Sequence, residues 1–280
     1  MPGKLAGRAR DIRDGRLVPA PPRDAATVML LRPAPAGTEV YLLRRLSSMA
    51  FAPGAFVFPG GKVDERDSEG GHGWAGPPPD LLAPALGGPA AGAAALVRAA
   101  VRETFEECGV LLASPADDPA GPAVDTAVDT AVGTGADWEA DRQALAAGSV
   151  SLAELLIRRD LVLRGDLLRP WSRWITPEAE ERRYDTRFFV ATMPAGQRAA
   201  GGTGESDRAA WLRPAAALEA AEAGELTMLP PTRITLRELA AYPDVPAVMA
   251  ADRPITPRRP VVVLDGDRAW LSLPDGSDDD

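Results

Sequence analysis

The sequence predicts an α+β domain, because segments with β-type patterns are mixed with helix-type segments and no internal repeat is present. The chain has 280 residues, of which 45% are hydrophobic, so one large domain with a sizeable core and terminal extensions is expected. We predict a flexible N-terminal arm over residues 1–24, the domain itself over residues 25–250, and a C-terminal hairpin with an acidic tail over residues 251–280.

The first half of the domain opens with β-rich runs. The predicted strands are residues 25–32, 38–45 and 54–61; the first two form a hairpin, and the third ends in the glycine pair of "FPGG". Pro, Ala and Gly then dominate, and we expect an inserted loop over about residues 68–92. A helix is predicted from about residue 91 to residue 108, with Gly109 as the residue that ends it.

The second half of the domain contains further helix and strand patterns. Short helices are predicted at residues 137–148 and 151–160, and Ser151 is placed to cap the second. The expected strands are residues 169–178, 182–194 and 207–214, followed by helices at residues 214–224 and 229–242. A hairpin over Asp265 and Gly266 closes the chain.

Composition and charge exclude several classes of protein. The net charge is -9, which argues against a general nucleic-acid binder, since such proteins usually carry a basic surface. Cys108 is the single cysteine, so an intramolecular disulfide and a cysteine-based zinc site are excluded, and a reducing, cytoplasmic location is expected. No apolar run reaches the roughly 18 residues of a membrane span, so no membrane association is predicted.

Three glutamates near the end of the predicted helix carry the main chemical signal. Glu103, Glu106 and Glu107 are spaced i, i+3 and i+4, which places them on one helix face. Like charges there repel one another, so the pattern favours a divalent cation over the face, and carboxylate oxygens suit Mg²⁺ or Mn²⁺. Arg102 is placed to orient a carboxylate through paired hydrogen bonds. A solvated acidic face is the alternative that this pattern alone leaves open.

Two segments, "GGKVDERD" and "RETFEECGV", together resemble the signature of the Nudix hydrolases. The family pattern is Gly, five residues, Glu, seven residues, and then Arg-Glu-apolar-x-Glu-Glu-x-Gly-apolar. Gly61 fits the first position and residues 102–110 fit the second half, with Thr104 a weak match at the apolar position. Asp67 stands where the family has Glu, and 34 residues rather than seven separate it from Arg102.

A signature divided by an insertion is typical of the coenzyme A diphosphatase-like branch of this family. The run "SSMAFAPGAFVFPGGKVD" resembles that branch, as do "WSRWITPEAEERRYDTRFFVATMP" and "LPPTRITLREL", so the resemblance extends from about residue 24 to residue 245. One position departs from the branch. Arg45 fits the first Arg of its upstream motif, but Ala50 stands where the second Arg belongs.

The resemblance implies a fold and a reaction. The fold is a Nudix-type α/β/α sandwich with a mixed sheet, and the reaction is metal-dependent hydrolysis of the pyrophosphate bond in a nucleoside diphosphate linked to another moiety. Coenzyme A or acyl-coenzyme A is the expected substrate, and Mg²⁺ or Mn²⁺ is the implied cofactor. The implied metal ligands are Glu103, Glu106 and Glu107. The implied catalytic residues are Arg102, Glu106 and Glu205, with Asp207 as the neighbouring alternative to Glu205.

The resemblance also implies contacts with the substrate and leaves alternatives open. The expected substrate-binding residues are Arg45, Gly60, Gly61 and Lys62. Trp171 and Trp174 either stack on an adenine or pack in the core. A small-molecule nucleotide is the expected partner, and a homodimer is compatible with the family.

The resemblance leaves two other functions open. One is hydrolysis of ADP-ribose, dinucleotides or oxidised nucleotides, and the other is that of a catalytically inactive domain that senses a ligand.

Overall fold

The structure is a computed structural model, and it describes residues 2–49, 52–70, 73–126, 135–200, 206–265 and 268–273. In chain order, the N-terminal half contains α1 (Pro2–Arg13), β1 (Arg23–Ala34), β2 (Gly37–Arg45), β3 (Phe56–Val57), β4 (Gly60–Lys62), a 3₁₀ turn (Glu65–Ser68), β5 (Trp74–Ala75), α2 (Pro79–Leu86), α3 (Ala90–Cys108), β6 (Ala113–Pro115) and α4 (Gly135–Ala146). The C-terminal half contains α5 (Leu152–Arg158), β7 (Leu161–Arg164), a second 3₁₀ turn (Gly165–Leu167), β8 (Leu168–Ile175), β9 (Tyr184–Thr192), β10 (Ser206–Leu212), α6 (Pro214–Glu222), α7 (Pro230–Ala240), α8 (Val245–Ala250), β11 (Pro257–Arg258), β12 (Val261–Asp265) and β13 (Arg268–Ser272).

The main sheet is mixed, in the strand order β10-β2-β1-β9-β8-β11. Strand β1 is antiparallel to β2 and parallel to β9, so the predicted first hairpin is confirmed. The short strands β3 and β4 pair with β2 and β1 respectively. Strand β4, which carries the glycine pair, therefore lies beside the start of β1 at one end of the sheet.

Alternate residues of β1 enter two separate cores, one on each face of the sheet. Val28 and Leu30 pack in a cluster that also contains residues of α3, α4 and α5. Met29 and Leu31 pack in a second cluster with residues of α6, α7 and α8. Successive side chains of a strand point to opposite faces, so both faces of this sheet are covered by helices. The α+β class and the predicted α/β/α sandwich are confirmed.

Helix α3 is the element that positions the three glutamates. Its first turns are rich in alanine, the residue with the highest helix propensity, and its buried face includes Val97, Val101 and Phe105. The helix ends where predicted, at Gly109, which adopts a φ of 71° and donates its N–H to the Phe105 carbonyl oxygen. The carboxylates consequently lie on the last two turns of a largely buried, well-terminated helix.

The segment predicted as an inserted loop has secondary structure of its own. It forms β5, which pairs with β7, and α2, which packs against α3. Leu86 at the end of α2 is buried, and Arg187 donates its Nε–H to the Leu86 carbonyl oxygen at 3.0 Å. The loop prediction was wrong for these residues, because burial of Leu86 and a hydrogen bond from a distant strand stabilise a segment whose local composition is Pro- and Gly-rich.

The N-terminal arm also differs from the prediction. Instead of a flexible arm, Pro2–Arg13 forms α1, which packs against the confirmed C-terminal hairpin of β12 and β13. Lys4 pairs with Glu181 at 2.8 Å, and Arg8 donates to the Ala179 carbonyl oxygen at 2.8 Å. These partners are far away in sequence, which explains why local composition did not predict an ordered helix.

One smaller difference concerns the boundaries of a strand. The predicted third strand is two strands, β3 and β4, which are separated by Phe58 and Pro59. Pro59 has no N–H to donate to a ladder, so an interruption there is expected.

Within the described residues, no single helix has the length and apolarity of a membrane span. Helices α2 and α3 have that length and apolarity only when they are taken together, and the pair is bent by 88°.

Candidate active site

The glycine pair of β4 lies directly against the carboxylates of α3. Gly60 donates its backbone N–H to Oε2 of Glu107 at 2.9 Å. A Cβ atom on Gly61 would lie only 2.3 Å from Oε1 of Glu103, so no side chain fits there while Glu103 keeps its position. The two halves of the divided signature therefore meet in space, although 47 positions separate Gly60 from Glu107.

Gly60 is also required by its own backbone. Its φ is 155°, a conformation that residues with a side chain rarely adopt, and a Cβ atom there would lie 2.4 Å from the Ala26 carbonyl oxygen. This close approach lets β4 pair with the start of β1 while presenting the Gly60 N–H to α3. The glycine pair thus sets the distance between the sheet and the carboxylate face.

Arg102 connects four groups at the centre of the site. Its Nε and Nη2 groups donate to the two carboxylate oxygens of Asp67 at 2.9 and 3.0 Å. Its Nη1 group donates to Glu103 at 2.9 Å and to Glu106 at 3.2 Å, and Nη2 also donates to the Lys62 carbonyl oxygen at 2.9 Å. Arg102 therefore holds two of the three glutamates and the backbone of β4 in one hydrogen-bond network.

Asp67 is fixed by the short turn in which it lies. The Asp64 N–H donates to Oδ2 of Asp67 at 2.8 Å, and the Asp64 side chain accepts in return from the Asp67 backbone N–H. This reciprocal pattern is a capping box, and it buries the Asp67 side chain. The change from Glu to Asp and the long insertion leave the ion pair with Arg102 intact.

Burial changes the proton affinity of the charged groups. Removal from water raises the pKa of Glu103 to about 7, despite the opposing charge of Arg102. Burial also raises the pKa of Glu106. For Arg102, burial acts to lower the pKa, but its hydrogen bond to Asp67 and the charges of the surrounding carboxylates outweigh it, so the pKa is raised. The guanidinium therefore stays charged, while Glu103 and Glu106 hold protons more readily than carboxyl groups in water do.

The three glutamates carry oxygen ligands suited to a metal ion, but their side chains do not converge on one point. Within the described ranges, no three acidic, histidine or cysteine side chains converge into a ready-made metal cluster. Glu103 and Glu106 are directed to Arg102, and Glu107 is directed to the Gly60 N–H. Their carboxylate oxygens are the hard ligands that Mg²⁺ and Mn²⁺ prefer, and the single positive charge of Arg102 is shared among Asp67, Glu103 and Glu106. The donor set therefore fits a divalent cation.

The other residues predicted for the site are Arg45, Lys62 and Glu205, with Asp207 as the alternative to Glu205. The Lys62 side chain is exposed, and Arg45 lies at the end of β2, opposite Ser206 of β10. Glu205 is outside the described residues. Its neighbour Asp207 is bound by Arg44, whose Nε and Nη2 groups donate to the carboxylate at 2.7 and 2.9 Å.

The tryptophans offered as an adenine platform are core residues instead. Trp171 is 2% exposed and Trp174 is 4% exposed, and both belong to the cluster on the opposite face of the sheet from α3. Arg253 and Arg258 lie over their rings. The packing alternative is therefore the one that the structure supports. Ala50, the position that departs from the family motif, is outside the described residues.

Sequence reasoning missed two residues that support the site. Arg142 of α4 donates to the Glu106 carbonyl oxygen at 2.7 Å, and Gln197 binds the Leu111 N–H and carbonyl oxygen at 2.9 and 2.8 Å. Neither contact has a local sequence signal, because the partners come from separate elements. The capping box of Asp64 and Asp67 does have one, since two acidic residues three positions apart are a recognisable turn pattern.

Comparisons with known proteins agree with this arrangement. The family model of the NUDT19 Nudix domain matches residues 78–239. A chicken protein named acyl-coenzyme A diphosphatase NUDT19 is 30% identical over 294 aligned residues, which cover 90% of this chain and 75% of that protein. The human protein of the same name is 29% identical, over 75% of this chain and 63% of its own length. This chain thus spans less than two thirds of the human relative.

A solved structure is similar as well. The crystal structure of a Nudix hydrolase from Alicyclobacillus acidocaldarius superimposes with a TM-score of 0.64 and 29% sequence identity, covering 83% of this chain and 97% of that one. The overall fold consequently agrees with that of the Nudix hydrolases.

Proposed function

Because this chain belongs to the Nudix hydrolases, and within them to the family of the NUDT19 Nudix domain, we propose that it hydrolyses the diphosphate bond of coenzyme A or acyl-coenzyme A. The observation that carries the proposal is the contact between the Gly60–Gly61 strand and the glutamate face of α3, fixed by Arg102 and Asp67. The names of the chicken and human relatives support coenzyme A derivatives as substrates.

Nudix hydrolases generally use divalent metal ions, and we assign the metal ligands of this chain to Glu103, Glu106 and Glu107. A bound Mg²⁺ or Mn²⁺ would neutralise the negative charge of the diphosphate and polarise its P–O bonds. Arg102 keeps Glu103 and Glu106 on the side of α3 that faces β4. The Gly60 N–H holds Glu107 against β4, so each carboxylate has a fixed starting orientation although the three do not converge on one point.

The reaction needs a base for the attacking water. Water forms a bond to one phosphorus while the bridging oxygen leaves with the other phosphate group, and a proton must leave the water. Burial raises the pKa of Glu106, which brings its carboxylate nearer to the range useful for accepting that proton. We therefore assign Glu106 as a base, with Glu205 as the second candidate. Arg45, Lys62 and the glycine pair are assigned to substrate binding.

A turnover screen with and without Mg²⁺ or Mn²⁺ tests this function. The substrates are coenzyme A, acetyl-coenzyme A, ADP-ribose, NADH and nucleoside triphosphates, with products resolved by mass spectrometry. Metal-dependent release of 3′,5′-ADP and a phosphopantetheine is the expected result. Cleavage of another substrate would keep the reaction type and overturn the substrate. Metal binding without any turnover would favour a ligand-sensing domain.

Two further assignments stay predictions: a cytoplasmic location and a homodimer. Size-exclusion chromatography with light scattering measures the oligomeric state. Microscopy of a tagged chain in its own cells measures the location.

A further inference from the structure

Arg66 is a second arginine next to the carboxylate face of α3. It lies in the 3₁₀ turn Glu65–Ser68, which packs against α3. Its neighbour in the chain, Asp67, binds Arg102, and Arg102 donates to Glu106 at 3.2 Å. Burial raises the pKa of Glu106, and the positive charges of Arg102 and Arg66 oppose that rise. The guanidinium of Arg66 is therefore close enough to Glu106 for its charge to act on that carboxylate.

The described part of the chain holds the Arg66 side chain at two points. Its Nη1 group donates to the Gly148 carbonyl oxygen at 2.8 Å, in the segment between α4 and α5. Its Nε group donates to Oδ1 of Asp64 at 3.2 Å. Its Nη2 group makes no hydrogen bond with any residue that the structure describes, and the side chain is 38% exposed. Arg66 thus has a fixed position, a partly exposed side chain and an unused donor group.

Gly148 leaves space beside that donor group. It adopts a φ of 68°, and a Cβ atom added to it would lie 3.3 Å from Nη2 of Arg66. A contact of that length is tighter than most contacts that real Cβ atoms make, so a side chain at this position would crowd the guanidinium. The glycine therefore keeps the surroundings of Nη2 open.

Two other arginines near the carboxylates have no unused nitrogen. Each nitrogen of Arg102 already donates to a carboxylate or to a carbonyl oxygen, and its side chain is 10% exposed. Arg142 donates Nε and Nη2 to Glu139 at 2.8 and 2.6 Å, and Nη1 to the Glu106 carbonyl oxygen at 2.7 Å. Of these three arginines, Arg66 alone has a nitrogen that makes no hydrogen bond within the described ranges.

The unused donor group of Arg66 suits a phosphate oxygen. Guanidinium groups match the geometry of phosphate, and hydrogen bonds between charged groups are about twice as strong as neutral ones. The contact of Arg66 with Asp64 is 3.2 Å long. Strong hydrogen bonds of this charged type are roughly 2.7–2.9 Å long. Asp64 therefore neutralises Arg66 only in part, and the guanidinium can attract a second anion.

We propose that Arg66 is a substrate-binding residue, whose Nη2 group donates to an oxygen of the substrate diphosphate. One phosphate group then faces the α3 carboxylates, and the other reaches Arg66. The inference rests on the proposed function, because it requires a diphosphate beside Glu103, Glu106 and Glu107. It is independent of the group that is attached to the diphosphate. Arg66 consequently distinguishes a diphosphate from a monophosphate.

Kinetics of three variants test this contact. Arg66→Gln is expected to lower kcat/KM for coenzyme A by about 10–100-fold, because a hydrogen bond to a charged group is lost. Arg66→Lys keeps the charge and should recover part of the loss. The matched control is Arg98→Gln, since half-buried Arg98 supports the same turn by donating to the Asp67 carbonyl oxygen at 3.1 Å. Equal losses in Arg66→Gln and Arg98→Gln, or unchanged turnover in Arg66→Gln, would overturn the proposal.

A binding experiment separates this inference from the proposed function. Calorimetric titration with α,β-methylene-ADP, a diphosphate that resists hydrolysis, and with 5′-AMP requires no turnover. With Mg²⁺ present, the wild type is expected to bind the diphosphate about tenfold more tightly than 5′-AMP. Arg66→Gln should lose this preference, Arg66→Lys should keep part of it, and Arg98→Gln should keep all of it.

The outcomes of the titration are distinct from those of the turnover screen. The expected preference, lost in Arg66→Gln, supports the contact even if the wild type hydrolyses no coenzyme A. Equal binding of the two compounds by the wild type overturns the contact, and so does a preference that survives in Arg66→Gln. Turnover of coenzyme A by the wild type would in that case still support the proposed function.

Discussion

Asp67 and Arg102 are 35 positions apart in the chain and form a buried, two-point ion pair at the centre of the carboxylate site. The Arg102 side chain is 10% exposed and that of Asp67 is 2% exposed. An arginine held at two points by one carboxylate is fixed in orientation as well as position. The remaining donors of Arg102 can therefore hold Glu103 and Glu106 on one side of α3.

Removing this ion pair should destabilise the protein and disturb the site. In Asp67→Asn, Arg102 keeps its bonds to the glutamates but loses the charge that fixes it. We expect the free energy of unfolding to fall by about 3 kcal/mol, as for other buried pairs that lose one partner. Chemical denaturation measures the change. Asp207→Asn, which breaks the exposed pair with Arg44, is the control and should leave stability unchanged. Equal stability of the two variants would refute a structural role for Asp67.

The Glu107 carboxylate is expected to act through its charge. Glu107→Gln keeps an oxygen that can accept the Gly60 N–H, so we expect an unchanged fold. Substitution of groups that only support a metal ligand costs about 10–100-fold in activity, so loss of a ligand should cost at least 100-fold. Turnover with Mg²⁺ or Mn²⁺ and thermal unfolding measure the two effects. Glu222→Gln, an exposed glutamate of α6, is the control. Near-normal turnover by Glu107→Gln would rule out Glu107 as a ligand in the proposed metal site.

The two glycines of β4 should respond differently to alanine. In Gly60→Ala the added Cβ meets the backbone of β1 at a φ of 155°, so we expect a loss of about 1–3 kcal/mol in stability. In Gly61→Ala the nearest atoms to the added Cβ are those of the Glu103 carboxylate, a side chain that can move. Activity should then fall while stability changes little. Denaturation and turnover of both variants measure this contrast, and a reversed order would contradict it.

Helix α2 should contribute to stability through one residue. Leu86 is 1% exposed, whereas Leu81 of the same helix is 67% exposed. Leu86→Ala is expected to cost about 2–5 kcal/mol, because it leaves a cavity beneath the inserted segment. Leu81→Ala is the matched control and should change stability by less than about 0.5 kcal/mol. A small effect of Leu86→Ala in denaturation would show that the insertion packs loosely on the domain.

The carboxylate site was the most predictable part of the molecule. Helical spacing places Glu103, Glu106 and Glu107 on one face, and Gly109 ends the helix by a local conformational preference. The meeting of Gly60 with Glu107 was predicted only through the family resemblance, because nothing local joins a strand to a helix across an insertion. The sequence alone did not predict which group Arg102 binds, because Asp67 stands where the family pattern has Glu.

The segments that were mispredicted owe their structure to distant partners. Helix α1 is held by Glu181 and the Ala179 carbonyl oxygen, and α2 is held by Arg187. Their own compositions, polar in one case and Pro- and Gly-rich in the other, resemble those of irregular segments. Tertiary contacts override such local preferences. The anchoring role of Gln197 was invisible for the same reason, because its partners Leu111 and Val124 lie far from it in the sequence.

The pairing of β1 with both β2 and β9 has a consequence for the order of folding. Strand β2 begins at Gly37, just after β1 ends at Ala34, so this hairpin closes a very short loop. Strand β9 begins only at Tyr184, and loop closure over such a distance is slow. On a ribosome, the glycine strand and the glutamate helix are both synthesised long before the central sheet can close. An emerging chain that stops short of β9 leaves one edge of β1 unpaired, and that interval is when the protein is most exposed to aggregation.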